Sequence, residues 1–163
     1  MIDHELTGLA RVREAMRSLG VTARIISPGI PMPTVPLAAA AVGCPIDQII
    51  KTVVFATPDL VPVIAIANGT HRIDRNRLAE ASGVESLKLA APDFVLTATG
   101  FPAGGVAPVG IRDADARVFI DPAVLDLAIV FGGAGTEADL LELSTADLLR
   151  VTQGAVAAIT VPD

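Results

Sequence analysis

Lys51 is a cation in the run QIIKTVVFA, where every neighbour except Gln48 and Thr52 is apolar. A period of two puts Ile49, Lys51, Val53 and Phe55 on one face and Ile50, Thr52 and Val54 on the other, so the run reads as a strand buried on both sides. An ammonium there must reach water at a strand end, pair with an anion, or line a cavity, because burying it alone is costly. Further along, GFPAGGVAPVGI runs from Gly100 to Ile111, and its core from Gly104 to Pro108 can turn backbone N–H groups toward one point. A cation and converging amides together suit a phosphate, an oxyanion or a polarised carbonyl. Asp121, which closes RVFID just before Pro122, either caps the turn that follows or belongs to such a site.

Other chemistries lack their usual residues. His4 and His71 are the only histidines, and neither lies in an HExxH or Cys/His pattern, so a metal site is not expected. There is no GxSxG, and Cys44 has no histidine beside it in sequence, which argues against a nucleophilic triad. The turn Gly132 to Thr136, GGAGT, resembles a phosphate loop but lacks the GK[ST] ending, and reads as a tight connection between strands. No GxGxxG joins a strand to a helix, and no cofactor is expected.

These groups need a scaffold, and 163 residues suffice for one domain, taken as 1–163, with a sizeable core. The core is expected to be aliphatic, because 52% of residues are hydrophobic and only 3% aromatic. With neither Trp nor Tyr, platforms for stacking single-stranded bases are scarce. The formal charge, 12 − 18 = −6, opposes broad nonspecific nucleic-acid binding, and DNA is not an expected partner. Local basic clusters occur all the same: Arg72, Arg75, Arg77 and Lys88 in mid-chain, and Arg11, Arg13 and Arg17 near the start. A single cysteine forms no intrachain disulfide, and the uncharged stretch Ile25 to Ile46 carries five prolines, too many for a membrane helix. The charged N-terminus lacks a signal-peptide pattern, and a cytoplasmic location is expected.

Leu6, Leu9, Val12, Met16 and Leu19 recur at helical steps and predict a first helix ended by Gly20. A short strand, TARIIS, precedes a proline-rich segment and Thr34, which is placed to cap an Ala-rich helix ending near Gly43. After the Lys51 strand comes LVPVIAIA, whose Pro62 puts its start at an edge or bulge, and Asn68-Gly69 supplies a turn. Asp74 caps a helix ended by Gly83, SLKLAA is a short strand, and Pro92 opens a helix closed by Gly100. RVFID and LAIVF are strands on either side of a turn at Pro122. Ser144 and Asp147 open a helix ended by Gly154, and VAAITV closes the chain as one strand. The pattern predicts an α+β domain built on a strongly curved mixed sheet.

In order, TVPLAAAAVGCPIDQIIKTVVF, GFPAGGVAPVGI, FIDPAVLD and FGGAGTEADLLELSTADLL resemble the YbaK/prolyl-tRNA synthetase-associated editing-domain family, over roughly Thr34 to Thr152. The resemblance rests on Thr34, Lys51, the loop Gly104 to Pro108, Asp121 and the pair Gly132-Gly133 in the family's order. It implies a mixed, partly open β-barrel surrounded by helices, and a free-standing, metal-independent aminoacyl-tRNA deacylase that acts in trans on a mischarged tRNA. The implied partners are the 3′ end of an aminoacyl-tRNA and a synthetase, without a membrane. In that reading Lys51 serves the terminal adenosine and the reacting ester, and amides around Gly104, Gly105 and Val106 hold the carbonyl oxygen. Thr34, Phe101, Val106, Pro108, Asp121, Gly132 and Gly133 complete the substrate-binding set.

The chain departs from the cysteinyl-tRNA(Pro) deacylase branch at three places. Phe101 stands where tyrosine is common, Phe131 where that branch has serine, and Ala134-Gly135 replace a basic pair. Cysteine, alanine, serine and other small residues therefore all stay open as the amino acid. A non-catalytic module of the same fold, binding a charged tRNA end or a synthetase, is the alternative, and a small-anion regulator is a third.

Overall fold

Capping residues set most of the helix boundaries in the computed structural model, which describes residues 7–161 and leaves His4 outside the described residues. Thr7 opens α1 (Gly8–Leu19), Thr34 opens α2 (Val35–Val42), Asp74 opens α3 (Arg75–Ser82) and Ser144 opens α5 (Thr145–Thr152), each accepting from backbone N–H groups of the first turn. α4 (Pro92–Thr99) starts without a side-chain cap but with proline in its first turn. Four helices stop at the glycines expected of them. α5 instead stops at Gln153, a left-handed residue with φ 50°, one residue before the expected Gly154.

The central sheet is mixed and has five strands: β2 (Ile50–Ala56), β3 (Pro62–Asn68), β5 (Lys88–Leu89), β6 (Arg117–Ile120) and β9 (Ala155–Val156), in the order β5-β2-β3-β6-β9. β2 is antiparallel to β3 and β5, whereas β3–β6 and β6–β9 are parallel. β1 (Arg24–Ile26), β7 (Ile129–Gly133) and β8 (Leu140–Ser144) form an antiparallel sheet in the order β1-β8-β7. β4 (Arg72–Ile73) and β10 (Thr160–Val161) make a two-stranded pair. A parallel bridge between Ile49 and Phe131 ties the three-stranded sheet to the entry of β2, and the sheets do not close into a barrel.

β3 is central and all seven of its residues are buried. Pro62 is tolerated because it is the first residue, paired with Ala56 on β2 but lying before the β6 register begins at Val63. β2 is buried on two faces, as its alternation predicts. Ile50 and Val54 enter the main core with Ile64, Ile66, Ile120 and Val106, while Val53 and Phe55 join a second cluster with Val63, Ala65, Leu78 and Phe119. On its outer side, away from β3, β2 pairs with β5 only at Phe55 and Ala56. Beside the start of β2 that side is met by β7, through the Ile49–Phe131 bridge and the packing of Gly132 on the Ile50 side chain.

Two further boundaries differ from the sequence reading. VAAITV is two short strands in different sheets, because the carboxylate of Asp121 accepts from the Ile159 and Thr160 N–H groups and turns the chain between them. Gly132 and Gly133 belong to β7 rather than to the turn, which runs from Ala134 to Asp139.

Candidate functional site

Three consecutive residues of β2, Ile50, Lys51 and Thr52, line one cavity of about 190 Å³. Neighbouring strand residues point to opposite faces, so a cavity touched by all three reaches around the strand rather than lying on one of its faces. Lys51 is half-buried there. The glycine loop lines the same cavity through Gly104 and Val106, together with Gly133 of β7. Thr34, Val35 and Ala38 bring in α2, and Thr136, Glu137, Asp139 and Leu140 bring in the turn before β8. Val35, Ala38, Ile49 and Leu140, with Met32, make one end apolar, since they share a hydrophobic cluster.

The loop reaches the cavity through a tight turn. The Gly105 N–H donates to the Pro102 carbonyl at 3.0 Å, and Gly104 has φ 90°, a left-handed value suited to the third residue of a type II turn. This corrects one expectation. The Gly105 amide is engaged inside the loop and does not converge on a ligand, so any amide contribution falls to Gly104 and Val106.

β7 and the loop are in backbone contact. A Cβ on Gly133 would sit 2.4 Å from the Val106 carbonyl oxygen, closer than real side chains approach. Gly133→Ala is expected to push strand and loop apart, costing about 1–3 kcal/mol of stability as overpacking does, and to lower activity by more than the stability loss explains. Denaturant unfolding and a deacylation assay below the transition check this; unchanged stability and activity would show that the contact yields freely.

The turn from Ala134 to Asp139 is internally braced, and the sequence reading passed over its polar residues. Thr136 Oγ1 donates to Asp139 Oδ2 at 2.5 Å and accepts from the Ala138 N–H at 3.1 Å, while Ser27 Oγ donates to Asp139 Oδ1. The Met32 N–H donates to the Glu137 carbonyl at 2.9 Å, which fixes the Glu137 backbone beside the proline-rich segment. Acidic residues after a glycine turn look like a solvated loop in sequence. Their proximity to Lys51 arises only when β7 docks on β2.

Thr34, Lys51, Gly104, Val106 and Gly133 of the expected set are brought together in this cavity. Thr34 also caps α2 through its Oγ1, 3.3 Å from the Leu37 N–H. The others lie elsewhere. Phe101 is fully buried in the main core, and Pro108 and Gly132 are buried behind the cavity wall, with Gly132 packed on the Ile50 side chain. Asp121 is 4% exposed and committed to the scaffold: Oδ1 accepts from the Ile159 N–H, the Thr160 N–H and the Thr160 hydroxyl, and Oδ2 accepts from the Ala123 N–H. Cys44 packs against the apolar cluster behind α2, and burial pushes its thiol up, away from the reactive thiolate. Among the described residues no group of three or more His, Cys, Asp or Glu could hold a metal ion, and no helix is long and apolar enough to cross a membrane.

Residues 31–151 match the aminoacyl-tRNA editing domain family. Among curated proteins, a proline–tRNA ligase of Nitratidesulfovibrio vulgaris Hildenborough is 33% identical over 86% of this chain, which spans only 23% of that ligase. A protein of Enterococcus faecalis with the provisional name Cys-tRNA(Pro)/Cys-tRNA(Cys) deacylase EbsC is 29% identical over 75% of this chain and 74% of its own length. Among solved structures, one provisionally described as a trans-editing enzyme for prolyl-tRNA synthetase superposes with a TM-score of 0.88 at 28% identity, covering 95% of this chain and 98% of that one.

Proposed function

The chain belongs to the aminoacyl-tRNA editing domain family, and from that premise we propose that it is a deacylase that hydrolyses, in trans, the ester of a tRNA mischarged with a small amino acid. The observation that carries this reading is the shared cavity, lined by Lys51 together with Gly104 and Val106. An aminoacyl ester is already activated. Positioning and charge stabilisation can therefore lower its barrier without a covalent intermediate.

In this mechanism water attacks the ester carbonyl carbon, and negative charge develops on the carbonyl oxygen. Amides of Gly104 and Val106 stabilise that oxygen, and the Lys51 ammonium holds the terminal adenosine and adds a positive field. The bond to the ribose oxygen then breaks. The proton lost by water reaches that oxygen, with the neighbouring ribose hydroxyl as the relay, releasing the amino acid and intact tRNA. The cavity's small volume and its apolar end favour a short side chain such as that of alanine, serine or cysteine. A deacylation screen of the protein against alanyl-, seryl- and cysteinyl-tRNA, correctly and wrongly paired, tests the reading; no ester hydrolysed above the spontaneous rate would refute it.

The tRNA backbone is assigned to a hollow at the other end of β2. Phe55, four residues from Lys51 and so about 13 Å along the strand, lines it with Arg72, Asp74, Arg75 and Leu89. Arg72 and Arg75 are exposed there, whereas Arg77 donates to the Thr160 carbonyl at 2.9 Å and lies 4.0 Å from Asp74. Replacing Arg72 and Arg75 together with alanine is expected to weaken tRNA binding and to flatten its log–log salt slope by about 1.5–2, two phosphate contacts' worth. Arg77→Ala should leave the slope unchanged. A larger effect at Arg77 would move the binding surface away from this hollow.

A further inference from the structure

We infer that Glu137 recognises the α-ammonium group of the aminoacyl ester and makes the site selective for esters with an unblocked amine. The inference rests on the deacylase reading, whose residues account for the carbonyl, the ribose and the side chain but leave the substrate's own charge without a counterpart.

Two carboxylates line the cavity, and they are not equivalent. Both oxygens of Asp139 accept from hydroxyls, of Ser27 and Thr136, so that side chain holds the turn together. Glu137 is held instead by its backbone, through the Met32 N–H, and its exposed side chain lies along the glycine loop. Its Oε1 is 3.7 Å from the point a Cβ on Gly104 would occupy. Gly104 and Val106 are the loop residues that line the cavity. In an aminoacyl ester the α-nitrogen is two bonds from the carbonyl carbon, about 2.5 Å away given ordinary bond lengths. A carbonyl held at the Gly104–Val106 backbone can therefore turn its ammonium toward Glu137 for a charge-assisted hydrogen bond. Lys51, the other formal charge beside Asp139 on these walls, has the wrong sign for this partner.

The arrangement separates two roles on one ligand. The amides and Lys51 act on charge that develops in the transition state. Glu137 acts on charge present from the start, so it improves binding and discriminates against N-blocked or α-hydroxy esters. A water-activating role for Glu137 predicts something different, namely loss on every ester irrespective of its α-substituent.

The test uses the whole protein with two non-hydrolysable probes, 3′-(L-alanylamino)-3′-deoxyadenosine and its L-lactoyl counterpart, which differ only by ammonium against hydroxyl. Titration calorimetry is expected to show the wild type preferring the alanyl probe by about tenfold, the scale of one charge-assisted hydrogen bond. Glu137→Gln should lower alanyl affinity to the lactoyl level and leave lactoyl affinity unchanged. Hydrolysis of alanyl-tRNA and of the lactoyl-tRNA made from it should show the same convergence. A preference that survives in E137Q, or equal losses on both esters, would overturn the inference while the deacylase reading stands. Neither probe binding the wild type would overturn both.

Discussion

Lys51→Ala is expected to lower deacylation of a mischarged tRNA by about 10²-fold or more, the scale of removing one oxyanion-stabilising donor, while leaving the melting temperature unchanged or higher. The stability half of this expectation comes from the strand. Lys51 is half-buried on a β2 flanked by two hydrophobic clusters, where holding a cation carries a desolvation cost. Alanine removes that desolvation cost and keeps the backbone pairing of Lys51 with Ala67 on β3. The activity half comes from the cavity, where Lys51 is the cation among the lining residues, which include Gly104 and Val106. Single-turnover hydrolysis and thermal unfolding, run side by side, separate the two. A variant that stays fully active, or is inactive only because it unfolds, would return Lys51 to the scaffold and favour a module that binds charged tRNA without cleaving it.

Features carried by local chemistry were legible in the sequence. Thr34, Asp74 and Ser144 cap helices because a hydroxyl or carboxylate before a helical run satisfies the first-turn N–H groups whatever the tertiary fold. The two-sided burial of β2 was equally legible, since alternation with apolar residues on both faces leaves few other readings. The juxtaposition of Lys51 with the glycine loop went further, because a cation in an apolar strand requires a cavity or an exit to water.

What was not legible depends on contacts made across long separations. Gly105 looked like an amide donor to a ligand, yet a turn closed by Pro102 takes its N–H. Phe101 sits in a loop whose neighbours reach the cavity, but its own side chain fills the main core, and nothing local distinguishes the two directions. Glu137 and Asp139 sit on the same short turn, and the hydroxyls of Thr136 and of Ser27, the latter brought by β1's pairing with β8, show that Asp139 is structural. The run VAAITV has the composition of one strand, and a carboxylate far upstream breaks it in two.

That carboxylate carries the second large effect. Asp121→Ala is expected to destabilise the fold by about 3–5 kcal/mol: about 1–3 kcal/mol for the Ile159 N–H left buried and unpaired, with less for the part-buried Thr160 donors, and about 1 kcal/mol for the lost turn cap at Ala123. Asp121 is almost completely buried, and its Oδ1 replaces a strand partner for the Ile159 and Thr160 N–H groups where the chain passes from β9 to β10. Ile159, fully buried beside Leu78 and Phe119, is pinned by that bond, so loosening it also loosens the second hydrophobic cluster. At about 2–4 °C per kcal/mol for a chain of this size, the melting temperature should fall by roughly 10 °C. Asp121→Asn separates this account from a direct role in the site. Asparagine keeps one acceptor oxygen of the same shape, and oriented toward Ile159 and Thr160 it should recover most of the lost stability together with near-normal deacylation below the transition. An asparagine variant as stable as the wild type but inactive would instead give the carboxylate a charge-dependent part in the reaction, and the hydrogen bonds to β10 would then be the lesser of its two duties.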